Sequence, residues 1–218
     1  GGQGFLKETD TRGGTGSIFP AAGFSVAEAA ANQVVTETFL ENVNAGLFVQ
    51  EQVGYRDFAF LTLGGRWDAN SAFGSTFDAV FYPKASFSVI PSDFSGWNSQ
   101  LLSTLRFRGA VGQSGLQPGA FDKLRTFEGL PSTEGPGVAP DNLGNPDLVP
   151  EVSTEWEGGV ELGLFRDRIG VEATYWNRTV DDVLVLKQFP ITGGFNNLQL
   201  TNIGEMKGEG LDVSINGD

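Results

Sequence analysis

The stretch Asp78–Ile90, DAVFYPKASFSVI, decides the fold class. Ala79, Phe81, Pro83, Ala85, Phe87 and Val89 fall on one side of an extended chain, and Tyr82, Lys84, Ser86 and Ser88 on the other. Side chains alternate across a β-strand, so a period of two with one apolar and one polar face is the mark of a half-buried strand. The same pattern recurs on both sides of it. Leu105, Phe107, Gly109 and Val111 oppose Thr104, Arg106 and Arg108; Trp156, Val160, Leu162 and Leu164 oppose Glu155, Glu157 and Glu161. Ile169, Val171, Ala173 and Tyr175 oppose Glu172, Thr174 and Arg178.

Three strands are less clean. Segment 58–67 alternates Ala59, Leu61, Leu63 and Trp67 with Thr62 and Arg66, although Phe58 and Phe60 share the polar side. In 42–54, Glu51 breaks the apolar row of Leu47, Val49 and Val53. In 203–216, Leu211, Val213 and Ile215 oppose Asp212, Ser214 and Asn216. The spacing predicts a short helix only over Ser25–Val35, with Ser25 as N-cap and Glu28 three residues on.

Composition agrees with strands: 31 glycines and 11% aromatics suit sheets and turns better than helices. No apolar run is long enough for a transmembrane helix. A net charge of −13 argues against nucleic acid as a partner, which calls for a basic footprint. With no Cys and no His, disulfides, thiolate or imidazole metal sites and a Ser-His-Asp triad are excluded. No cofactor motif such as a Walker loop occurs, so no cofactor is expected.

The links between strands sort by length. The turn at 55–57 is tight, 69–77 longer, 91–100 moderate, 113–151 very long and rich in Gly, Pro and acids, 165–167 tight, and 181–199 long. In an up-and-down meander successive links alternate ends, so the short ones gather at one end of the sheet. Short periplasmic turns and long extracellular loops are the asymmetry of an outer-membrane barrel. Tyr55, Phe58, Trp97 and Phe165 fall at the short-turn end, and Trp67, Phe81, Trp156 and Tyr175 toward the long loops, as two aromatic girdles require.

Ordered motifs sharpen this. Leu47–Gly74, LFVQEQVGYRDFAFLTLGGRWDANSAFG, resembles a strand pair of SusC/RagA-type TonB-dependent outer-membrane receptors. FYPKASFS at 81–88, LRFRGAVGQSG at 105–115, NPDLVPE at 145–151 with TEWE at 154–157, YWNR at 175–178 and NIGEM at 202–206 resemble later strands of that family, in family order. Trp67 and Val111 depart from its commonest residues. The resemblance implies an all-β, antiparallel up-and-down transmembrane β-barrel in the bacterial outer membrane, with long extracellular loops. About seven strands are legible against roughly 22 in a plugged transporter, so a partial barrel is expected. Residues 1–39 are expected to be an extracellular loop segment with the short helix, and 40–218 the partial barrel.

The resemblance further implies nutrient uptake (oligosaccharide, peptide or similar), contact with outer-membrane lipid, a SusD-like surface lipoprotein as partner, and TonB engaged through a preceding N-terminal part. Arg66, Lys84, Arg106, Arg108, Glu155, Glu157 and Arg178 are then lumen-facing candidates. Two further readings concern the acidic and amide side chains. Glu155, Glu157 and Glu161 on one strand face, with Glu172 on the neighbouring strand, are paired carboxylates that suggest glycoside hydrolysis, but a hydrated wall that pairs them with Arg106, Arg108 and Arg178 is the simpler account, and no enzyme is expected. Asp141, Asn142, Asn145 and Asp147 offer oxygen ligands for calcium without an EF-hand spacing. The competing architecture is a soluble extracellular β-sandwich that binds carbohydrate, in which the apolar faces close on one another.

Overall fold

The computed structural model describes residues 1–23, 26–71, 79–132, 135–191 and 193–217. DAVFYPKASFSVI supplies β4 (Val80–Val89), which lies between β3 (Ala59–Asn70) and β5 (Leu102–Leu116). Phe87 stands opposite Leu61 on one side and Gly109 on the other, so the apolar rows line up across strands. Pro83 has no N–H to give to a ladder. It sits one residue beyond Lys84↔Gly112, the last pair that β4 makes with β5.

The remaining strands are β1 (Gly2–Ser17), β2 (Asn32–Tyr55), β6 (Phe127–Ser132), β7 (Gly135–Pro140), β8 (Glu151–Leu164), β9 (Ile169–Lys187) and β10 (Gln199–Gly217). Eight of the ten form one antiparallel sheet in the order β1-β2-β3-β4-β5-β8-β9-β10, and β6 and β7 form a separate hairpin inside the longest link. The sheet is a meander whose end strands are unpaired with each other among the described residues, the geometry of a partial barrel wall.

The N-terminal expectation fails here. Residues 1–39 are not a loop with a helix: Gly2–Ser17 pairs with Asn32–Leu47 throughout its length. A single 3-10 turn, Ala27–Ala29, stands where the helix was expected, and the proposed cap Ser25 lies outside the described residues. Val34, Thr36 and Thr38 are β-branched and pair with Thr15, Gly13 and Thr11, so a ladder along the full hairpin outweighs the helical preference of the short Ala run. The visible strands therefore number eight in the main sheet rather than about seven.

Link lengths sort by end with one exception, 90–101, which is longer than 71–79 and 188–198 at the opposite end. The turns at 56–58 and 165–168 and the link 90–101 share one end of the meander; 18–31, 71–79, 117–150 and 188–198 share the other. The short end is laced together: Ile90 N–H donates to Phe58 O at 2.7 Å, Phe165 N–H to Leu101 O at 2.9 Å, and Thr104 Oγ1 to Asp167 Oδ1 at 2.9 Å. Arg56 and Asp57, like Phe165 to Asp167, take positive φ, the left-handed turn geometry that matches the twist of flanking strands.

Among the described residues nothing covers the apolar face. Phe87 is 49% and Trp156 46% exposed, and the buried apolar side chains are scattered rather than layered. A sandwich would put these rows into one closed core, so the sandwich reading fails. Trp67 and Phe81 stack at 4.4 Å and Trp156 and Tyr175 at 5.4 Å toward the long loops; Tyr55, Phe58 and Phe94 meet edge-to-face at the other end. From Trp156 to Phe165, at about 3.3 Å per residue and a tilt near 40°, the strand climbs roughly 23 Å, close to an apolar band of about 25 Å. Glu51, opposite Leu63, interrupts the belt. Strands of 24 and 19 residues, β2 and β9, exceed the 9–11 or so that span a bilayer and run on into the long-loop end.

Candidate functional site

The chemistry of the chain lies on the polar face, which strand parity fills with charge. Register sets Glu161 between Arg106 on β5 and Glu172 on β9, and Glu155 between Gly112 and Arg178. Two carboxylates directly across a ladder repel one another. Arg108 resolves this pair. It reaches Glu161 at 3.5 Å, pairs with Glu172, and donates to Thr174 Oγ1 at 2.9 Å. Arg106 holds Glu161 at 3.3 Å and donates through Nε to Ser88 Oγ at 2.9 Å, which ties β4, β5 and β8 together. Arg178 pairs with Glu155.

Each of the seven residues singled out from the sequence lies on this face. The structure brings Arg106, Arg108, Arg178 and Glu155 into cross-strand ion pairs. Arg66 instead turns to Asp68 on its own strand, its Nε 2.5 and 2.8 Å from the two carboxylate oxygens. Lys84 and Glu157 have no ion-pair partner among the described residues. Both line a concavity of about 520 Å³ with Gln50, Thr62, Ser86 and Glu155. Periodicity alone missed Asp68 as a partner, because an i,i+2 pair on one strand adds no new face to the pattern; the neighbouring Arg66 was the available signal.

Arg108→Met removes the countercharge from two facing carboxylates. The expected loss is about 1 kcal/mol, small because all three side chains are partly hydrated. Urea unfolding of the intact receptor in vesicles measures it, and Glu172→Gln in the same background should restore most of the loss. An unchanged midpoint in the single variant would show that the ladder contributes nothing.

At the long-loop end, the oxygen-rich residues of 117–150 hold the loop's own backbone. Asn142 Nδ2 donates to Phe121 O and Leu124 O at 3.0 and 3.1 Å, Thr126 Oγ1 to Asp141 Oδ2 at 3.0 Å, and Asp147 N–H to Asn145 Oδ1 at 3.1 Å. They act as loop fasteners. Further along, Asn70 Nδ2 at the end of β3 hydrogen-bonds to Asn44, midway along β2, and to Gln117, just beyond β5.

A one-sided sheet with an uncovered apolar belt, a charged reverse face, short turns at one end and fastened loops at the other has well-defined relatives. Residues 2–218 match the family model described as TonB dependent receptor-like, beta-barrel. TonB-dependent receptor P26 of Formosa agariphila is 29% identical over 184 residues, 79% of this chain and 18% of that protein. TonB-dependent receptor SusC of Bacteroides thetaiotaomicron is 32% identical over 72 residues, 33% of this chain and 7% of that one. The structure of the RagAB peptide transporter superposes with a TM-score of 0.87 at 22% identity, over 99% of this chain and 25% of that chain. The chain thus spans less than a fifth of the length of these curated relatives. It belongs to the TonB-dependent receptor-like β-barrel family, as a stretch of outer-membrane barrel wall similar to parts of SusC and of the RagAB transporter.

Proposed function

We propose that this chain is wall and outer rim of a receptor that imports nutrient (oligosaccharide, peptide or similar) across the outer membrane. The observation that carries the reading is the division of one open sheet into an apolar belt and a charged reverse face. Lipid meets the first. Arg66, Lys84, Arg106, Arg108, Glu155, Glu157 and Arg178 face the hydrated interior, where a solute passes polar groups rather than hydrocarbon. The long-loop end faces outward and meets ligand and a SusD-like surface lipoprotein; TonB supplies energy through an N-terminal part of the receptor. The kinship with SusC and the likeness to the RagAB structure favour this partnership. Arg178 pairs with Glu155, and Arg106 and Arg108 with Glu161, which favours binding and passage over catalysis.

The intact receptor tests this in two steps. An unboiled sample on a detergent gel migrates ahead of a boiled one, and solute uptake by cells collapses when the proton-motive force is removed. A soluble protein without a boiling-dependent shift would overturn the barrel; uptake indifferent to the proton-motive force would overturn the import reading while leaving the barrel intact.

A further inference from the structure

A second concavity of the polar face, about 420 Å³, lies between β2, β3, β4 and β5 near the long-loop end and differs from the ion-paired ladder. Its side chains are mostly donors: Arg66, Lys84, Tyr82 and Ser114, with Phe48 at one side and Asp68 as the lone carboxylate. Asp68 is taken up by Arg66 Nε, and among the described residues both Nη groups of Arg66 make no hydrogen bond. Lys84 is without an ion pair among those residues. Among the described residues the Tyr82 hydroxyl has no hydrogen-bond partner, although Tyr82 is only 7% exposed. A buried hydroxyl without a partner costs about 1–3 kcal/mol, so an acceptor that reaches it is favoured.

Part of the pocket wall is an absent side chain: a Cβ on Gly115 would fall on the Tyr82 hydroxyl. Arg66 and Lys84 both line the same concavity. Two cations, a phenol and a serine hydroxyl against one neutralised carboxylate leave an excess of positive charge and donors. A planar carboxylate accepts from both an arginine fork and an ammonium.

From this geometry we infer that the pocket binds a carboxylate group held by Arg66, Lys84 and Tyr82. The inference rests on the polar face being the barrel interior. The carboxylate comes either from a soluble acidic solute, such as a uronate or a peptide terminus, or from an acidic side chain elsewhere in the receptor.

Zero-length carbodiimide coupling of the intact receptor, with and without trigalacturonate as probe, reads out both sources by mass spectrometry at Lys84. Amide formation between Lys84 and the probe, at least threefold weaker in Tyr82→Phe and Arg66→Met, assigns the site to a soluble acid. Amide formation with a receptor carboxylate outside the wall strands assigns it to the protein's own chain. Lys84 joined only to Asp68, Glu155 or Glu157, or left uncoupled, overturns the inference. The boiling-dependent gel shift on the same samples separates that failure from failure of the barrel reading.

Discussion

Val160→Arg lowers the unfolding free energy of the intact receptor by about 2–4 kcal/mol, whereas Ser86→Arg changes it by no more than about 0.5 kcal/mol. Val160 lies between Phe107 on β5 and Ala173 on β9, midway between the Trp156–Tyr175 girdle and the turn at 165–168. A guanidinium there must reach lipid headgroups past roughly half a bilayer of hydrocarbon, or thin the bilayer locally. Ser86 stands between Thr62 and Ala110 on the opposite face, where the new charge meets water and the carboxylate Glu157 across the same concavity. Both are the same chemical change on one sheet, so the difference isolates the solvent on each side. Urea titration in vesicles of about 30 Å hydrocarbon thickness supplies the two midpoints. Equal losses at both positions would mean that the belt does not face lipid.

The reading of faces that underlies this comparison was available from single strands. β4, β5, β8 and β9 each alternate cleanly because one face must satisfy hydrocarbon and the other water, so every residue in the band carries a signal. That signal weakens elsewhere. Gly2–Ser17, paired with Asn32–Leu47, carries Gly and charge on both sides and is exposed along nearly its whole length, so period two has nothing to sort. The ends of β2 and β9, the first residues of β10 and the β6–β7 hairpin inside 117–150 were hidden for the same reason.

The candidate wall residues were legible by parity, but their partners were not. Arg106 and Arg108 sit two apart on one strand, and only the register of β5 with β8 decides that Arg106 faces Glu161 directly. The reach of Arg108 across to Glu172 on β9 depends on sheet twist, which no pattern along the chain records. Tyr82 is the clearest case. From sequence it is an ordinary polar-side residue of β4, whereas its burial and its unpartnered hydroxyl arise from strands that converge around it.

Leu148→Ala has its largest effect away from the membrane. Leu148 is 1% exposed, the most completely buried large side chain among the described residues, and lies in the connection before β8 rather than in the sheet. That connection is fastened to the β9–β10 end by polar bonds: Leu143 N–H donates to Gln199 Oε1 at 3.0 Å, and Val149 N–H to Asn202 Oδ1 at 3.0 Å. Asn202 Nδ2 returns bonds to Val149 O at 2.9 Å and to Asp182 O at 2.7 Å. Truncating a buried leucine costs about 2–5 kcal/mol, because transfer energy and cavity energy add. Here the cost is expected to fall on the loop, whose backbone these bonds hold. The expected result is unchanged heat-modifiable migration together with at least tenfold faster protease cleavage within 117–150, mapped by mass spectrometry on intact cells. Asn202→Ala should act in the same direction by about 1–3 kcal/mol, because it strands Val149 and Asp182 backbone groups at once. Loss of the gel shift in Leu148→Ala would make the residue a support of the barrel itself, and unchanged cleavage in both variants would mean that other contacts hold the loop. With the barrel preserved and the loop released, the same variants test whether a fixed outer rim is required for uptake. A rim that presents ligand or meets a lid in one orientation predicts that uptake falls with loop opening at constant receptor abundance.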